Sequence, residues 1–345
     1  MKKLNAIAGL AMTAAAFLAS CSTKTQETQN ISVDTTQECQ TTFGQKVKIK
    51  RTIHLSDTVL LGNIPKVLYH NGNIYVWDKS AQSILCYNDE GGLLFRICTV
   101  GRGPGEYTGI ANFWLSGRKN TITIITPEKK LLEYSATTGE LLSTSPITAK
   151  TIMFTDGAEL ADGAAALGIV GPQHNLAVFT QDSTIYHIPF NMGRDFAFME
   201  KAFAQDGENM LFVHGMSNNI YSVAPDTATI KYIVDFKGLE LPDSQYMQHT
   251  PQEIQKIHDS RTIATRIDNL VASRDYITFS YWLMHPNKDL ETRYALYHKK
   301  TGKTLNINSN GLFPVKDASG NTFISIMDND DEERNPDIVM WEMTK

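Results

Sequence analysis

The stretch that decides the fold is GNIYVWDKSAQSILCYNDEGGLLFRI, residues 72–97. It contains three short runs rich in Ile, Val, Leu, Tyr and Phe, at 74–78, 83–87 and 93–97. The runs are separated by turns that contain Gly, Asn, Asp and Ser. Short apolar runs bounded by such residues predict strands, and their close spacing predicts that neighbouring strands pair as hairpins.

The same pattern recurs along the rest of the chain. Corresponding strands are predicted to begin near residues 74, 121, 165, 210, 276 and 322, so that most steps are near 45 residues. A step of that length is typical of a four-stranded propeller blade. We therefore predict an all-β chain that folds as a six-bladed β-propeller over residues 46–345. Two β-sandwiches, which also contain many short strands, are the competing architecture.

The sixth unit is short by at least one strand, and the N-terminal part of the domain offers a replacement. Val47, Ile49, Ile53 and Leu55 alternate with mostly polar neighbours, as in a half-buried strand. We expect this strand to pair with the last blade. Such pairing would close the ring and hide two exposed sheet edges.

The one long step, between about 210 and 276, predicts a helical insertion near 250–270. Thr250, Pro251 and Glu253 form the N-cap, first-turn proline and N3 acid of a capping box. An apolar stripe follows at roughly helical spacing, through Ile254, Ile257, Ile263, Ile267 and Leu270. The helix would either cover the flank of a blade or form a lid over the channel.

The N-terminus has the pattern of an export signal. Lys2 and Lys3 precede an apolar segment, residues 4–18, which is too short to span a membrane as a helix. Leu18-Ala19-Ser20-Cys21 resembles a bacterial lipobox, which implies cleavage after residue 20 and acylation of Cys21. The alternative is a plain secreted protein. Residues 21–45, rich in Ser, Thr and Gln, are predicted to be a flexible tether.

Composition narrows the choice of partners. The 345 residues carry 32 basic and 37 acidic side chains, a net charge of −5. This balance argues against a nucleic-acid partner, which requires a clustered basic surface. We expect a monomer in the cell envelope, held to the membrane by its N-terminal lipid. The outer membrane is the expected location, and the leaflet face is left open.

Several strings together resemble a known family. GNIYVWD (72–78), ILCY (84–87), GGLL (91–94) and GRGPGEY (101–107) resemble an NHL-type repeat. The chain is more closely similar to the six-bladed β-propeller lipoproteins of Bacteroidetes, a set without an assigned biochemical role. This resemblance implies a ring of six blades and implies no reaction.

GRGPGEY supplies the first candidate ligand-binding residues. Its glycines and proline predict a turn with unusual backbone angles that links the outer strand of one blade to the inner strand of the next. Arg102, Glu106, Tyr107 and the nearby Trp114 could therefore face a ligand, with Arg102 gripping a carboxylate or phosphate. The alternative is that Arg102 and Glu106 pair locally and hold the blades together.

Acidic residues near the C-terminus are the candidate metal ligands. Asp328, Asp330 and Asp331 lie in an oxygen-rich run that suits calcium but lacks the glycine and spacing of an EF-hand loop. A solvated hairpin tip is the competing interpretation. We expect no cofactor, with calcium as the open alternative.

Aromatic residues crowd the fifth predicted blade, where they either pack between blades or form a binding platform. They are Tyr276, Phe279, Tyr281, Trp282, Tyr294 and Tyr297. The chain contains neither HExxH nor GxSxG. We therefore expect a binding or scaffold protein for a glycan, a peptide or an envelope protein. The alternative is a metal-dependent lactonase or lyase whose site lies in the central channel.

Overall fold

The computed structural model describes residues 28–37, 40–171, 173–180, 183–189, 199, 201–215, 217–286, 288–308, 311–329, 331 and 333–344. The predicted signal, residues 1–20, and the predicted lipidation site Cys21 lie outside these residues. In the described part of the chain, no helix is long and apolar enough to cross a membrane.

The elements that precede the first blade are β1 (Gln29–Ser32), α1 (Gln40–Lys46) and β2 (Val47–His54). Blade 1 contains β3 (Lys66–His70), β4 (Asn73–Asp78), β5 (Ser83–Asn88) and β6 (Leu93–Ile97). Blade 2 contains β7 (Asn112–Ser116), β8 (Thr121–Ile125), β9 (Lys130–Ser135) and β10 (Leu141–Pro146). Blade 3 contains β11 (Met153–Glu159), β12 (Ala165–Val170), β13 (His174–Phe179) and β14 (Thr184–Pro189).

Blade 4 contains β15 (Phe203–Asp206), β16 (Asn209–Phe212), β17 (Asn219–Ala224) and β18 (Thr227–Asp235). The insertion that follows contains α2 (Asp243–Gln248) and α3 (Pro251–Ser260). Blade 5 contains β19 (Ile263–Ala272), β20 (Tyr276–Met284), β21 (Glu291–His298) and β22 (Thr304–Ile307). Blade 6 contains β23 (Val315–Ser319), β24 (Thr322–Met327) and β25 (Asp337–Met343).

The six sheets form a six-bladed β-propeller, which confirms the predicted fold. The first strand of each blade is innermost, because these six strands contact one another in a closed circle. Their side chains therefore line the central channel.

The N-terminal strand closes the last blade as predicted. β2 pairs antiparallel with β25, so that Ile53 lies opposite Ile338 and both side chains are buried. A register shift between Ile49 and Arg51 interrupts the alternation, and Ile49 is exposed. Two ends of the chain thus meet in one sheet, which removes the open edge of β25.

The tether predicted for residues 21–45 does not hold for 28–37 or 40–45. β1 adds to blade 4 as a fifth strand, parallel to β18, with Ile31 opposite Val234. Ile31 and Val33 are fully buried, because their period-two spacing turns both toward the propeller. Phe43 of α1 packs edge-on against Trp341 of blade 6. The N-terminal segment is therefore part of the folded domain.

The predicted helix near 250–270 is correct in its first half and wrong in its second. α3 begins with the expected capping box between Thr250 and Glu253, but it ends at Ser260. Residues 263–272 form β19, the innermost strand of blade 5. Ile254 packs with Leu241 at the flank of this blade. The described residues of α3 line neither of the two cavities in the central channel.

Candidate functional site

Four charged side chains that lie in the innermost strands, or directly before one, meet in the middle of the channel. They are Lys66 at the start of β3, Asp156 in β11, Lys201 just before β15, and Asp317 in β23. They form two ion pairs, Lys66 with Asp156 and Lys201 with Asp317, with nitrogen–oxygen distances of 2.6 and 2.7 Å. We call these four residues the channel belt.

The first pair of the belt is fully buried. The Lys66 ammonium also donates to the carbonyl oxygen of Phe113, at 2.8 Å, and to Oδ1 of Asn112, at 3.0 Å. Burial lowers the pKa of Lys66 below its usual value, while the charge of Asp156 opposes that shift. A buried ammonium that has three oxygen partners is held in one position.

The Asp156 carboxylate binds more than its lysine. Its Oδ2 accepts hydrogen bonds from the backbone N–H groups of Ala202 and Phe203, at 2.8 and 3.1 Å. Its Oδ1 also accepts from the N–H of Gly157, at 2.7 Å. One side chain of blade 3 therefore holds the first strand of blade 4 and the lysine of blade 1.

The second pair repeats this arrangement on the other side of the channel. The Lys201 ammonium donates to the carbonyl oxygen of Lys316 at 2.7 Å, as well as to Asp317. Oδ2 of Asp317 accepts from the backbone N–H of Tyr69 at 2.8 Å. Each pair of the belt thus joins blades that are two positions apart, 1 to 3 and 4 to 6. The belt ties the blades together across the channel.

The belt lies between two cavities. Lys66 and Asp156 line the first cavity, whereas Pro65 and Thr155, which directly precede them in the chain, line the second. The first cavity, of about 410 Å³, reaches the turns between the first and second strands of the blades, and we call it the hairpin-face cavity. The second cavity, of about 340 Å³, reaches the loops between blades, and we call it the loop-face cavity.

The hairpin-face cavity has a charged floor and a mixed wall. The belt forms its floor, and Trp114, Leu68 and Phe203 supply apolar surface. Polar side chains from the inner strands and from one turn also line the cavity, among them His70, Arg118, Glu159 and Gln205. Ser116 donates to the Glu159 carboxylate at 2.6 Å, which fixes one of these polar groups.

Trp114 is seated by a glycine. A Cβ atom built on Gly157 would lie 2.5 and 2.6 Å from two carbon atoms of the indole ring. Only a residue without a side chain therefore lets the ring lie against β11. Trp114 and Glu159 also line a polar groove of about 650 Å³ between blades 2 and 3, so that the cavity and the groove share a wall.

Among the ligand-binding residues predicted from the sequence, Trp114 lines this cavity and the others lie elsewhere. The GRGPGEY segment does connect the outer strand of blade 1 to the inner strand of blade 2. However, Arg102 is exposed, and Glu106 accepts from the backbone N–H of Gly103 at 2.7 Å. Tyr107 is buried and donates to the carbonyl oxygen of Gln82 at 2.8 Å. These three residues line neither channel cavity.

The acidic run lies between β24 and β25. Asp328 is exposed, and Asp331 accepts from the backbone N–H of Glu333 at 3.0 Å. Asp330 lies outside the described residues. Across the described part of the chain, no three His, Cys, Asp or Glu side chains converge as metal ligands.

The aromatic residues of blade 5 mostly pack inside the propeller. Phe279, Tyr281, Tyr294 and Tyr297 are buried, and Tyr281 donates to Oδ1 of Asn306 at 2.6 Å. Trp282 differs, because the guanidinium of Arg266 lies 3.9 Å from the centre of its ring.

The channel belt is not predictable from local periodicity. Three of its residues stand in the inner strands β3, β11 and β23, and Lys201 stands just before β15. A charged residue interrupts or shortens the apolar run at each of these places. The signal was a charged residue inside a short β-branched or aromatic run, as in Lys66-Val67-Leu68-Tyr69 and Phe154-Thr155-Asp156.

Comparison with known proteins places the chain in a family. It belongs to the family described as a domain of unknown function, DUF4934, whose model matches residues 55–335. Among curated proteins, none matches the chain significantly.

Solved structures share the fold. A Bacteroides fragilis NCTC 9343 protein, for which export has been suggested, has a TM-score of 0.73 and 17% identity, covering 92% of this chain and 100% of its own. A DUF4221 member from Bacteroides vulgatus has a TM-score of 0.57 and 10% identity, covering 87% of this chain and 99% of its own. Virginiamycin B lyase from Staphylococcus aureus has a TM-score of 0.48 and 9% identity, covering 86% of this chain and 100% of its own.

Proposed function

We propose that this protein is an envelope lipoprotein whose propeller binds a glycan or a peptide in the hairpin-face cavity. The observation that carries the proposal is the channel belt. Because the belt groups already hold one another and the backbone of neighbouring blades, the cavity floor is rigid before any ligand arrives. A preformed seat lowers the entropy cost of binding.

The wall of the cavity suits a polar ligand. Trp114 lines the cavity with the small part of its ring that is exposed, about 6% of the residue, and aromatic surface binds sugar rings and apolar side chains well. His70, Arg118 and Glu159 in the lining offer both donors and acceptors. The continuous groove toward blade 3 gives an extended ligand room beyond the cavity. A glycan or a short peptide has the required mixture of apolar and hydrogen-bonding surface.

The location rests on the N-terminal sequence. Lys2, Lys3 and the apolar segment before Cys21 match an export signal with a lipidation site. Export has also been suggested for the Bacteroides fragilis structural neighbour, which supports an envelope location. With the chain fixed to blade 4 from residue 29 onward, the acyl chains at Cys21 would hold the propeller close to the membrane.

The test is a binding screen of the non-lipidated mature chain. Thermal shift with panels of glycans and short peptides should find a ligand that raises the melting temperature, since binding to the native state stabilises it. Trp114→Leu should then weaken the affinity of that ligand at least tenfold, whereas the control Trp77→Leu, at the other cavity, should leave it within twofold. The alternative is a metal-dependent lactonase or lyase. Hydrolysis of lactones that needs a divalent ion and is lost when channel-belt residues are replaced would establish it.

A further inference from the structure

The loop-face cavity differs from the hairpin-face cavity in its charge. Three basic side chains line it, those of Lys79, Lys129 and Arg266. The described lining residues include neither aspartate nor glutamate. Most of the remaining wall is apolar, with Trp77 and Phe154 as its largest side chains. The cavity therefore presents an apolar interior together with positive charge.

Arg266 is placed in this cavity by an irregular strand. Its φ of 54° lies in the left-handed region, and the pairing of β19 with β20 shifts register between Thr265 and Asp268. A bulge of this kind re-aims a side chain and recurs next to binding sites. Non-glycine residues adopt such backbone angles at a cost, which the surrounding contacts must offset.

The guanidinium of Arg266 is held in a defined orientation. It lies over the ring of Trp282, at 3.9 Å from the ring centre, and one of its terminal nitrogens lies 4.0 Å from the Asp268 carboxylate. Stacking fixes the plane of the guanidinium, and its N–H groups lie in that plane. An arginine fixed in this way is preorganised to grip a planar carboxylate with two parallel hydrogen bonds.

We propose that the loop-face cavity binds an amphiphilic carboxylate, a molecule with an apolar chain or ring and one carboxylate group. The apolar body fits against Trp77 and Phe154, and the carboxylate pairs with Arg266 while Lys79 and Lys129 add to the positive field. A volume of about 340 Å³ suits a medium-length acyl chain or an aryl group. The channel belt separates this site from the hairpin-face cavity, so that carboxylate binding here does not depend on glycan or peptide binding there.

The experiment is calorimetric titration of the non-lipidated mature chain with three probes. Decanoate carries both features, decanol has the chain without the charge, and acetate has the charge without the chain. We expect decanoate to bind at least tenfold more tightly than either of the others. Quenching or a shift of tryptophan emission should accompany binding, because Trp77 lines the cavity.

Two sets of variants locate the site. Arg266→Gln should weaken decanoate binding at least tenfold, and Arg266→Lys should restore part of the loss. If Arg266→Gln alters the fold, the double variant Lys79→Gln with Lys129→Gln gives an independent reading, with at least a threefold loss expected. The matched control is Lys119→Gln, at the groove between blades 2 and 3.

Three outcomes would overturn the proposal. They are no decanoate binding at millimolar concentration, decanol binding as tightly as decanoate, and decanoate affinity that none of the cavity variants changes. A diacyl phospholipid headgroup is a competing source of an amphiphilic anion. Preference for vesicles that contain an anionic phospholipid over free decanoate, lost in the same variants, would contradict the small carboxylate.

Discussion

The two cavities of the channel are built on the same inner strands, yet the charges in their linings differ. In the hairpin-face cavity, Asp156 and Asp317 each meet a lysine, so that most charge is neutralised inside the wall. In the loop-face cavity, the described lining contains Lys79, Lys129 and Arg266, and the Asp268 carboxylate that lies 4.0 Å from Arg266 is outside that lining. Neighbouring residues on one strand can thus serve different purposes, because the channel belt separates them.

The belt itself gives the largest expected effect. Asp156→Ala removes the partner of a buried lysine and the acceptor of three backbone N–H groups. Breaking a buried pair in this way typically costs about 3–5 kcal/mol, so we expect a loss of that size in the free energy of unfolding. Urea unfolding followed by circular dichroism measures it.

Two controls show whether the loss comes from burial. Lys119→Ala breaks the pair with Glu133, in which the lysine side chain is 53% exposed, and should cost less than about 1 kcal/mol. Replacing both members, Lys66→Met with Asp156→Leu, should recover only the part of the loss that comes from the unpaired charge, since the three backbone N–H groups still lack their acceptor. A stable Asp156→Ala protein would show that the belt does not hold the blades together.

A smaller effect is expected at the wall of the hairpin-face cavity. Gly157→Ala places a methyl group where the Trp114 ring lies, so the ring must move or the strand must shift. Overpacking of this kind costs about 1–3 kcal/mol. Gly44→Ala, which meets no atom within 4 Å and has no positive φ, is the control without overpacking, and because Gly44 lies in α1 it should cause no loss or a gain of up to about 1 kcal/mol.

The same variant tests whether the two cavities respond independently. Affinity for the glycan or peptide found in the screen should fall in Gly157→Ala, because Trp114 is displaced. Decanoate affinity should remain within about twofold, since the loop-face cavity lies on the other side of the belt. Equal losses at both cavities would mean that the belt transmits the disturbance and that the two sites are coupled.

The smallest effect is the response to salt. Raising ionic strength from 50 to 500 mM should weaken decanoate binding by about two- to fivefold, because Lys79 is exposed and its field is screened. The neutral glycan, or a peptide without net charge, should lose less than about twofold. Calorimetry at both salt concentrations measures this effect. Equal salt dependence at the two cavities would show that the positive charge of the loop-face cavity does not contribute to decanoate binding.

The sequence predicted the outer parts of the blades better than their centre. Strands such as β4 and β8 show long β-branched and aromatic runs between clear turns, which local periodicity identifies. The inner strands β3 and β11 each contain a charged residue that resembles a loop position. Such a residue is tolerated in the channel only because a partner from another blade meets it.

Two other differences have physical causes. Ile263, Ile267 and Leu270 fit a helical stripe, but pairing with β20 stabilises the extended form, which local spacing cannot reveal. Residues 28–37 have a composition typical of a tether, yet two aliphatic side chains at period two are sufficient to add one strand to an existing edge. Blade 4 supplies the hydrogen bonds that the segment could not form alone.

By itself, the sequence determined the class of fold, the number of blades and the closing strand, because alternation and turn residues act over a few neighbouring positions. Only the tertiary structure decided which charges meet in the channel. Lys66 and Asp156 are 90 residues apart in the chain, and Lys201 and Asp317 are 116 apart. No local rule pairs residues at such distances. The circular arrangement of the blades brings them together, and burial then requires that each charge find a partner.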